Sequence, residues 1–380
     1  MQLVLTEDQE LLAKTAADFV AEKSPVARFR ALRDAGDPLG FSRDLWKQMA
    51  ELGWVGILFP EELGGAEMGL AELACVLEPL GAALAPEPFL STVLLAGEAL
   101  RRGGSSAQQE RWLPAIAAGD AIGSLAFQEP GVRWSPFHVA TRAEPVDGGF
   151  RLHGRKIQVL DAAAADFLIV PARTAGEPGD AEGIALFLVE SGAAGLEITP
   201  QTRVDQRGAG LLTLDGVSVD ADAALGEIGA AGPLLEAVLD AATAGLCAEM
   251  LGSMGRAFEM TLEHLKSRQQ FGVPIGSFQG LKHRAAQMFI EIELCRSAVM
   301  AAARALDAGD DEAQALVSLA KARCSDTAML VANEGVQMFG GVGMTDEYDI
   351  GFYLKRARAA QLTFGDAAWH RARWARLRGY

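Results

Sequence analysis

The sequence predicts an α+β chain in three successive parts: an N-terminal helical domain over residues 1–120, a middle antiparallel β-barrel or sandwich over residues 121–227, and a C-terminal four-helix bundle over residues 228–380. Three observations carry this reading. Capping residues and helical apolar spacing fill the start of the chain. Short β-branched runs separated by turn residues fill the middle. After Gly232-Pro233, apolar residues recur at three- and four-residue steps over long stretches.

In the first part, Thr6 followed by Gln9 forms a capping-box pattern ahead of Leu11, Leu12 and Phe19, so a helix is expected to start at Glu7. The segment Pro60–Gly69 holds too many breakers for a helix interior and reads as a loop. Residues 71–84 return to helical spacing, which Pro86 and Pro88 stop. In the middle part, the runs FRLHGRKIQVL, DFLIVPA, GIALFLVE, GLEITP and LLTLDGVSV read as strands. Asp147-Gly148-Gly149 and Asp215-Gly216 read as hairpin turns. No strand runs into GxGxxG, which argues against a Rossmann unit. In the last part, Leu246, Met250, Met254, Phe258, Leu262 and Leu265 line one face of a long helix. Leu281, Ala285, Met288, Ile292, Cys295 and Val299 repeat the pattern, a third helix covers 312–339, and a fourth is expected over the C-terminal stretch. Antiparallel helices joined by short connections make a bundle.

Composition narrows the function. The 380 residues carry 34 Lys and Arg against 50 Asp and Glu, a formal charge of −16, so phosphate backbones are repelled and nucleic acid is not an expected partner. The basic C-terminal residues, including Lys355, Arg356, Arg371 and Arg378, read as partners of acidic neighbours. No apolar stretch is long enough to span a bilayer, so membrane insertion is not expected. The opening MQLVLTEDQE has no signal-like core, which points to the cytoplasm. Cys75, Cys247, Cys295 and Cys324 are scattered, and His138, His153, His264, His283 and His370 form neither HExxH nor a triad. Buried free thiols and no metal are therefore expected.

Two segments are more specific. One reads Arg268-Gln-Gln-Phe-Gly-Val-Pro-Ile-Gly-Ser-Phe-Gln279, in the break between two bundle helices; the other reads Gln337-Met-Phe-Gly-Gly-Val-Gly343 and continues into Thr345-Asp-Glu-Tyr348. Both resemble signatures of the acyl-CoA dehydrogenase family, RxxFGxxIxxFQ and QxxGGxGxxxE. The resemblance extends to the TEDQxxL opening, to ELGWVGILFPEELGG (Glu51–Gly65) and to Glu129-Pro130-Gly131. It implies α,β-desaturation of an acyl-CoA thioester with hydride passing to flavin N5, as in acyl-CoA β-oxidation, with electron-transfer flavoprotein or a similar acceptor downstream. It also implies FAD held across subunits of a homo- or hetero-tetramer. By resemblance, Arg268 supplies charge to the pyrophosphate and Gly340 and Gly341 allow close backbone approach. Gln279 and Gln337 offer amides, Phe271, Ile275 and Phe278 wall the cofactor, and Asp366 meets the FAD ribose or pyrophosphate region.

The middle part departs from the family pattern. Gln128-Glu-Pro-Gly131 stands where members read TEPG, a segment whose backbone faces the flavin ring. The KxWIS/T strand is here Lys156-Ile-Gln-Val-Leu160, so Gln158 holds the flavin-stacking Trp position and Leu160 the hydroxyl position facing N5. The base that removes the Cα proton is absent as well. Aligning the family's EGT segment with Phe364-Gly-Asp366 puts Phe364 at the base position, and the alternative site on the first bundle helix holds Ala242 and then Thr243. Three readings follow. The chain is the Glu-lacking subunit of a paired acyl-CoA dehydrogenase, as the LxxGDAxWHR ending suggests. It is a homo-oligomeric dehydrogenase using another carboxylate, from Glu87, Asp161, Asp240 and Asp366. Or it is a non-catalytic scaffold that has lost flavin.

Overall fold

The computed structural model describes residues 3–37, 39–131 and 134–380. The chain opens with helices α1 (Glu7–Lys23), α2 (Val26–Ala35), α3 (Arg43–Glu51) and α4 (Leu70–Ala82). A π-helical stretch, Phe89–Gly97, runs into α5 (Glu98–Gly103), and α6 (Ser106–Ala117) follows. The strands are β1 (Gly123–Leu125), β2 (Arg142–Val146), β3 (Gly149–Leu160), β4 (Phe167–Arg173), β5 (Ile184–Glu190), β6 (Leu196–Thr202), β7 (Gly208–Asp220) and β8 (Ala224–Leu225). Then come α7 (Gly232–Ser267), the short strands β9 (Gln269–Gln270) and β10 (Val273–Pro274), α8 (Gln279–Asp307), α9 (Ala313–Phe339), α10 (Ile350–Leu362) and α11 (Ala367–Leu377).

By internal contacts the chain forms two compact units, each drawing on more than one segment of sequence. One comprises Met1–Asp34, Gly69–Ala85 and Thr243–Tyr380; the other comprises Ala35–Met68 and Pro86–Ala242.

The first unit is helical. The capping box at Thr6 starts α1 as the sequence indicates, with Gln9 N and Thr6 Oγ1 at 3.2 Å. Helix α9 packs against α8, α10 and α11, and α4 packs against α1 and α8. The heptad face of α8 is the buried one: Ala285, Met288, Ile292, Cys295 and Val299 all point inward. The last stretch, expected as a single fourth helix, is two. Phe364 (φ 60) and Gly365 (φ 116) take left-handed conformations that a helix cannot hold, and Asp366 caps a new helix by accepting the Trp369 amide at 2.9 Å.

The second unit is built on one sheet with strand order β6-β7-β3-β2-β4-β5-β8 and β1 attached to β4. It is an open mixed sheet, which corrects the expected antiparallel barrel or sandwich. The path has ends at β6 and β8, and β1–β4 and β2–β4 pair in parallel. Alternation within strands reports which face is buried but says little about which strands pair. The core is lined by Leu152, Val159, Leu168, Val170, Phe187, Leu212 and Leu214, and β4 is buried at every position, as its unbroken apolar run requires. Asp147-Gly148 does turn the β2–β3 hairpin, with Val146 paired to Gly149. Asp215-Gly216 does not make a turn. It lies inside β7, where Gly216 (φ 71) accommodates a register shift against β3 and its amide donates to His153 Nδ1 at 3.2 Å.

Candidate functional site

In the helical unit, an aromatic cluster joins the end of the helix that precedes the first motif segment to the second motif segment. His264, in the last turn of α7, stacks on Phe339 at the end of α9, with ring centroids 4.2 Å apart and planes 14° apart. Tyr348 closes edge-on, 5.3 Å from Phe339. Arg268 follows one turn on, its amide donating to His264 O at 2.9 Å, and burial, and then the Arg268 charge, push His264 below its usual range. Beyond α7 the chain makes the β9–β10 hairpin, whose turn places Phe271 at φ 56 and Gly272 at φ 78. The hairpin closes back on its root, since Ile275 N donates to Arg268 O at 2.8 Å.

Arg268, Phe271, Phe278 and Gln279 are all exposed, and Ile275 is half-buried. Phe271 is 91% exposed and meets Phe278 edge-on at 6.0 Å. At the end of α9, Gln337, Gly340 and Gly341 are exposed. Gly340 has φ 69, and an added Cβ at Gly340 or Gly341 would meet nothing within 4 Å. The segment that follows is fastened to α2: Arg33 binds both carboxylate oxygens of Asp346 at 2.6 and 2.8 Å, and Arg30 bonds Asp349 at 2.6 Å. An unobstructed glycine backbone, a cation and exposed aromatic rings thus lie on one unit, groups of the kind that can meet phosphate charge and a flat ring.

The turn at residues 361–366 belongs to the same unit. Phe364 is buried at 7% exposure. Lys321, itself fully buried, donates to Gly365 O at 2.6 Å, Gln361 O at 3.1 Å and Ser325 Oγ at 3.0 Å. Burial lowers its pKa to about 8. His370 Nε2 lies 3.0 Å from Phe364 O, and burial lowers the imidazole to about 3, so it is neutral at physiological pH. Asp366, half-buried, spends a carboxylate oxygen on capping α11.

The sheet unit carries the other expected residues. Gln128 follows β1, and its carbonyl accepts the Ile157 amide at 2.8 Å. Gln158 is exposed and sits at φ 53, where the β3–β7 register shifts between Lys156 and Val159. Leu160 is buried, and its carbonyl accepts Ser124 Oγ at 2.6 Å. Three of the four carboxylates weighed as bases are here and all are buried: Glu87 at 1%, Asp240 at 3% and Asp161 at 4% exposure. Asp161 accepts the Ser91 hydroxyl at 2.6 Å, which fixes the end of β3 to the π-helical stretch. Ala242 is fully buried. Sequence reasoning missed Lys156, buried at 0% exposure against Glu129. A lone lysine in a strand carries no sequence signal of burial.

Comparison with known proteins settles the family. Models of the acyl-CoA dehydrogenase N-terminal, middle and C-terminal domains match residues 6–120, 124–217 and 233–377 in turn.

The chain belongs to the acyl-CoA dehydrogenase family.

Members of the family are FAD-dependent oxidoreductases acting on CH–CH donors. The mitochondrial isovaleryl-CoA dehydrogenase of Pongo abelii is 31% identical over 371 residues, 95% of this chain and 86% of that protein. A chain of the ChsE4-ChsE5 complex from Mycobacterium tuberculosis superposes with a TM-score of 0.88 at 30% identity, covering 99% of this chain and 98% of that one. PigA with FAD and proline superposes with a TM-score of 0.91 at 26% identity over the full length of both chains. All four cysteines of this acyl-CoA dehydrogenase relative are free and buried. Among the described residues no helix is long and apolar enough to cross a membrane, and no cluster of three or more His, Cys, Asp or Glu is arranged to hold a metal ion.

Proposed function

We propose that this chain is the base-lacking subunit of a paired FAD-dependent acyl-CoA dehydrogenase, acting with a Glu-bearing chain on an acyl-CoA thioester and passing electrons to electron-transfer flavoprotein or a similar acceptor. One observation carries the proposal. Both positions from which the family draws its base hold apolar, buried side chains, Phe364 at 7% and Ala242 at 0% exposure. Neither can take a proton from the substrate Cα. When bound, FAD supplies the hydride acceptor. This chain's part is to hold it: Arg268 neutralises phosphate charge, Gly340 and Gly341 admit the dinucleotide's close approach, and Phe271 and Phe278 cover it together with Ile275, Gln279 and Gln337. Gln128, Gln158 and Leu160 line the ring side, and Asp366 lies toward the ribose. The same exposed hairpin gives a neighbouring subunit an apolar surface to cover. The ChsE4-ChsE5 likeness supports a two-chain assembly.

Co-expression with a Glu-bearing dehydrogenase chain tests this. The pair is expected to bleach its flavin with an acyl-CoA, and the isolated chain is expected to hold flavin without bleaching. Full turnover by the isolated homo-oligomer would sink the proposal. A second reading, in which the homo-oligomer uses its own carboxylate, is favoured by the burial of Glu87 and Asp240, two acids held away from bulk solvent. Loss of that turnover in Glu87→Gln or Asp240→Asn would select it.

A further inference from the structure

The segment after β1 is gripped by two consecutive residues of β3. Lys156 Nζ lies 2.6 Å from Glu129 Oε1 and donates to Pro171 O at 2.6 Å. The side chains of this ion pair are 0% and 3% exposed. The carboxylate of Glu129 also accepts the Ala140 amide at 2.7 Å and the Thr141 amide at 3.0 Å. One residue further along β3, the Ile157 amide holds Gln128 O at 2.8 Å. The register shift at this point of β3 turns Lys156 into the core while Gln158 stays exposed. Burial pushes Glu129 upward, yet the Lys156 charge and the donated hydrogen bonds outweigh it and hold the carboxyl below its usual range. The pair therefore ties the loop to β3, to β4 through Pro171, and to the approach to β2.

In this family that loop's backbone faces the flavin ring, and here the Trp and hydroxyl positions beside it hold Gln158 and Leu160. With fewer ring contacts available, the preset position of the loop carries more of the binding. We infer that Lys156 and Glu129 are positioning residues for the flavin: their buried pair fixes the Gln128–Pro130 backbone in the place where the ring docks. The inference rests on reading that loop as flavin-facing.

Lys156→Met alone leaves an uncompensated carboxylate in the core and is expected to destabilise the fold, so the deciding variant is the double Glu129→Leu/Lys156→Met, which removes both charges. The full chain is purified with and without added FAD. Circular dichroism and the thermal midpoint of the apo-chain report the fold; quenching of FAD fluorescence reports affinity, and the shape of the visible band reports the ring's surroundings. The double variant is expected to fold, to bind FAD at least tenfold more weakly, and to lose fine structure in the flavin band. Arg268→Gln, which leaves the brace intact, is expected to weaken FAD binding without changing the band shape. A double variant with wild-type affinity and band shape overturns the inference. So does a wild-type chain that takes up no FAD, in which case Arg268→Gln shows no FAD binding to weaken and the flavin reading itself fails.

Discussion

Phe364→Glu is expected to turn this chain into a dehydrogenase that needs no partner's base. Phe364 already occupies φ 60, so Glu, equally unbranched at Cβ, inherits the backbone conformation without added strain. The turn is held from outside the substituted side chain, by Lys321 on the carbonyls of Gln361 and Gly365 and by His370 on that of Phe364. Losing a buried ring at 7% exposure costs about 2–3 kcal/mol of stability, which a chain of this size tolerates. Desolvation at this buried turn raises the new carboxyl's pKa, and the Lys321 cation, held on Gly365 O, opposes that rise. General-base catalysis contributes typically 10²–10⁴-fold, or about 3–5 kcal/mol of barrier. The assay is anaerobic bleaching of the flavin band of the purified homo-oligomer against acyl-CoAs of short, branched and ring-bearing chains. Wild-type chain should stay yellow and the variant should bleach at least a hundredfold faster with some member of the panel. A folded, flavin-loaded variant that bleaches no faster than wild type with every thioester refutes the reasoning, because the turn would then not face the substrate.

Four further outcomes follow from named residues. Arg268→Gln removes a charge-assisted contact worth about 1.5–3 kcal/mol, so flavin dissociation should strengthen with dilution by 10- to 150-fold, read as flavin-to-protein ratio after gel filtration. Ser91→Ala leaves the buried Asp161 carboxylate without its 2.6 Å hydroxyl donor and should destabilise by about 1–3 kcal/mol, seen in thermal unfolding of the apo-chain. His370 has a folded pKa of about 3 against 6.5, so the unfolded chain binds more protons between those values and stability falls as pH drops through that window. His370→Gln should flatten that acid limb in denaturant titrations, by up to about 4 kcal/mol at pH 3. Lys321, at about 8 against 10.5, gives the same sign at the other end: stability rises with pH between 8 and 10.5 by up to about 3 kcal/mol, and Lys321→Met should abolish the rise.

Much of this was legible in the sequence, for physical reasons that also mark where legibility stopped. The heptad face of α8 and the capping box at Thr6 are local patterns, and the structure places both as read. Strand pairing is non-local, so β2–β4 and β1–β4 could not be seen, and an Asp-Gly dipeptide reads the same in a turn as in the β7 bulge. The split between α10 and α11 was missed because Phe364 is the left-handed residue, a conformation that no aromatic side chain announces. The motif segments at 268–279 and 337–341 were legible as signatures of the family because each is contiguous in sequence, and the matching C-terminal family model spans both. The Lys156–Glu129 pair was invisible, since its meaning lies in a contact 27 residues apart.

What separates retained function from retained fold is exposure. Breaking a buried pair such as Lys156–Glu129 costs about 3–5 kcal/mol, so stability keeps it in place and its positioning of the flavin comes on top of that. Asp161 with Ser91 and Lys321 with its carbonyls are held in the same way. No such force acts on Phe271 at 91% exposure, on exposed Arg268, or on Gly341, where a Cβ would meet nothing, whereas Gly340 at φ 69 is also required by its own backbone. An open phenylalanine on a hairpin tip is a solubility cost to a lone chain, and an arginine there could be any polar residue. On the proposed reading, a flavin and a neighbouring subunit account for these side chains together. The proposed flavin contacts thus fall on residues that contribute little to the fold, and on the same proposal the buried, apolar Phe364 leaves the base to a partner chain.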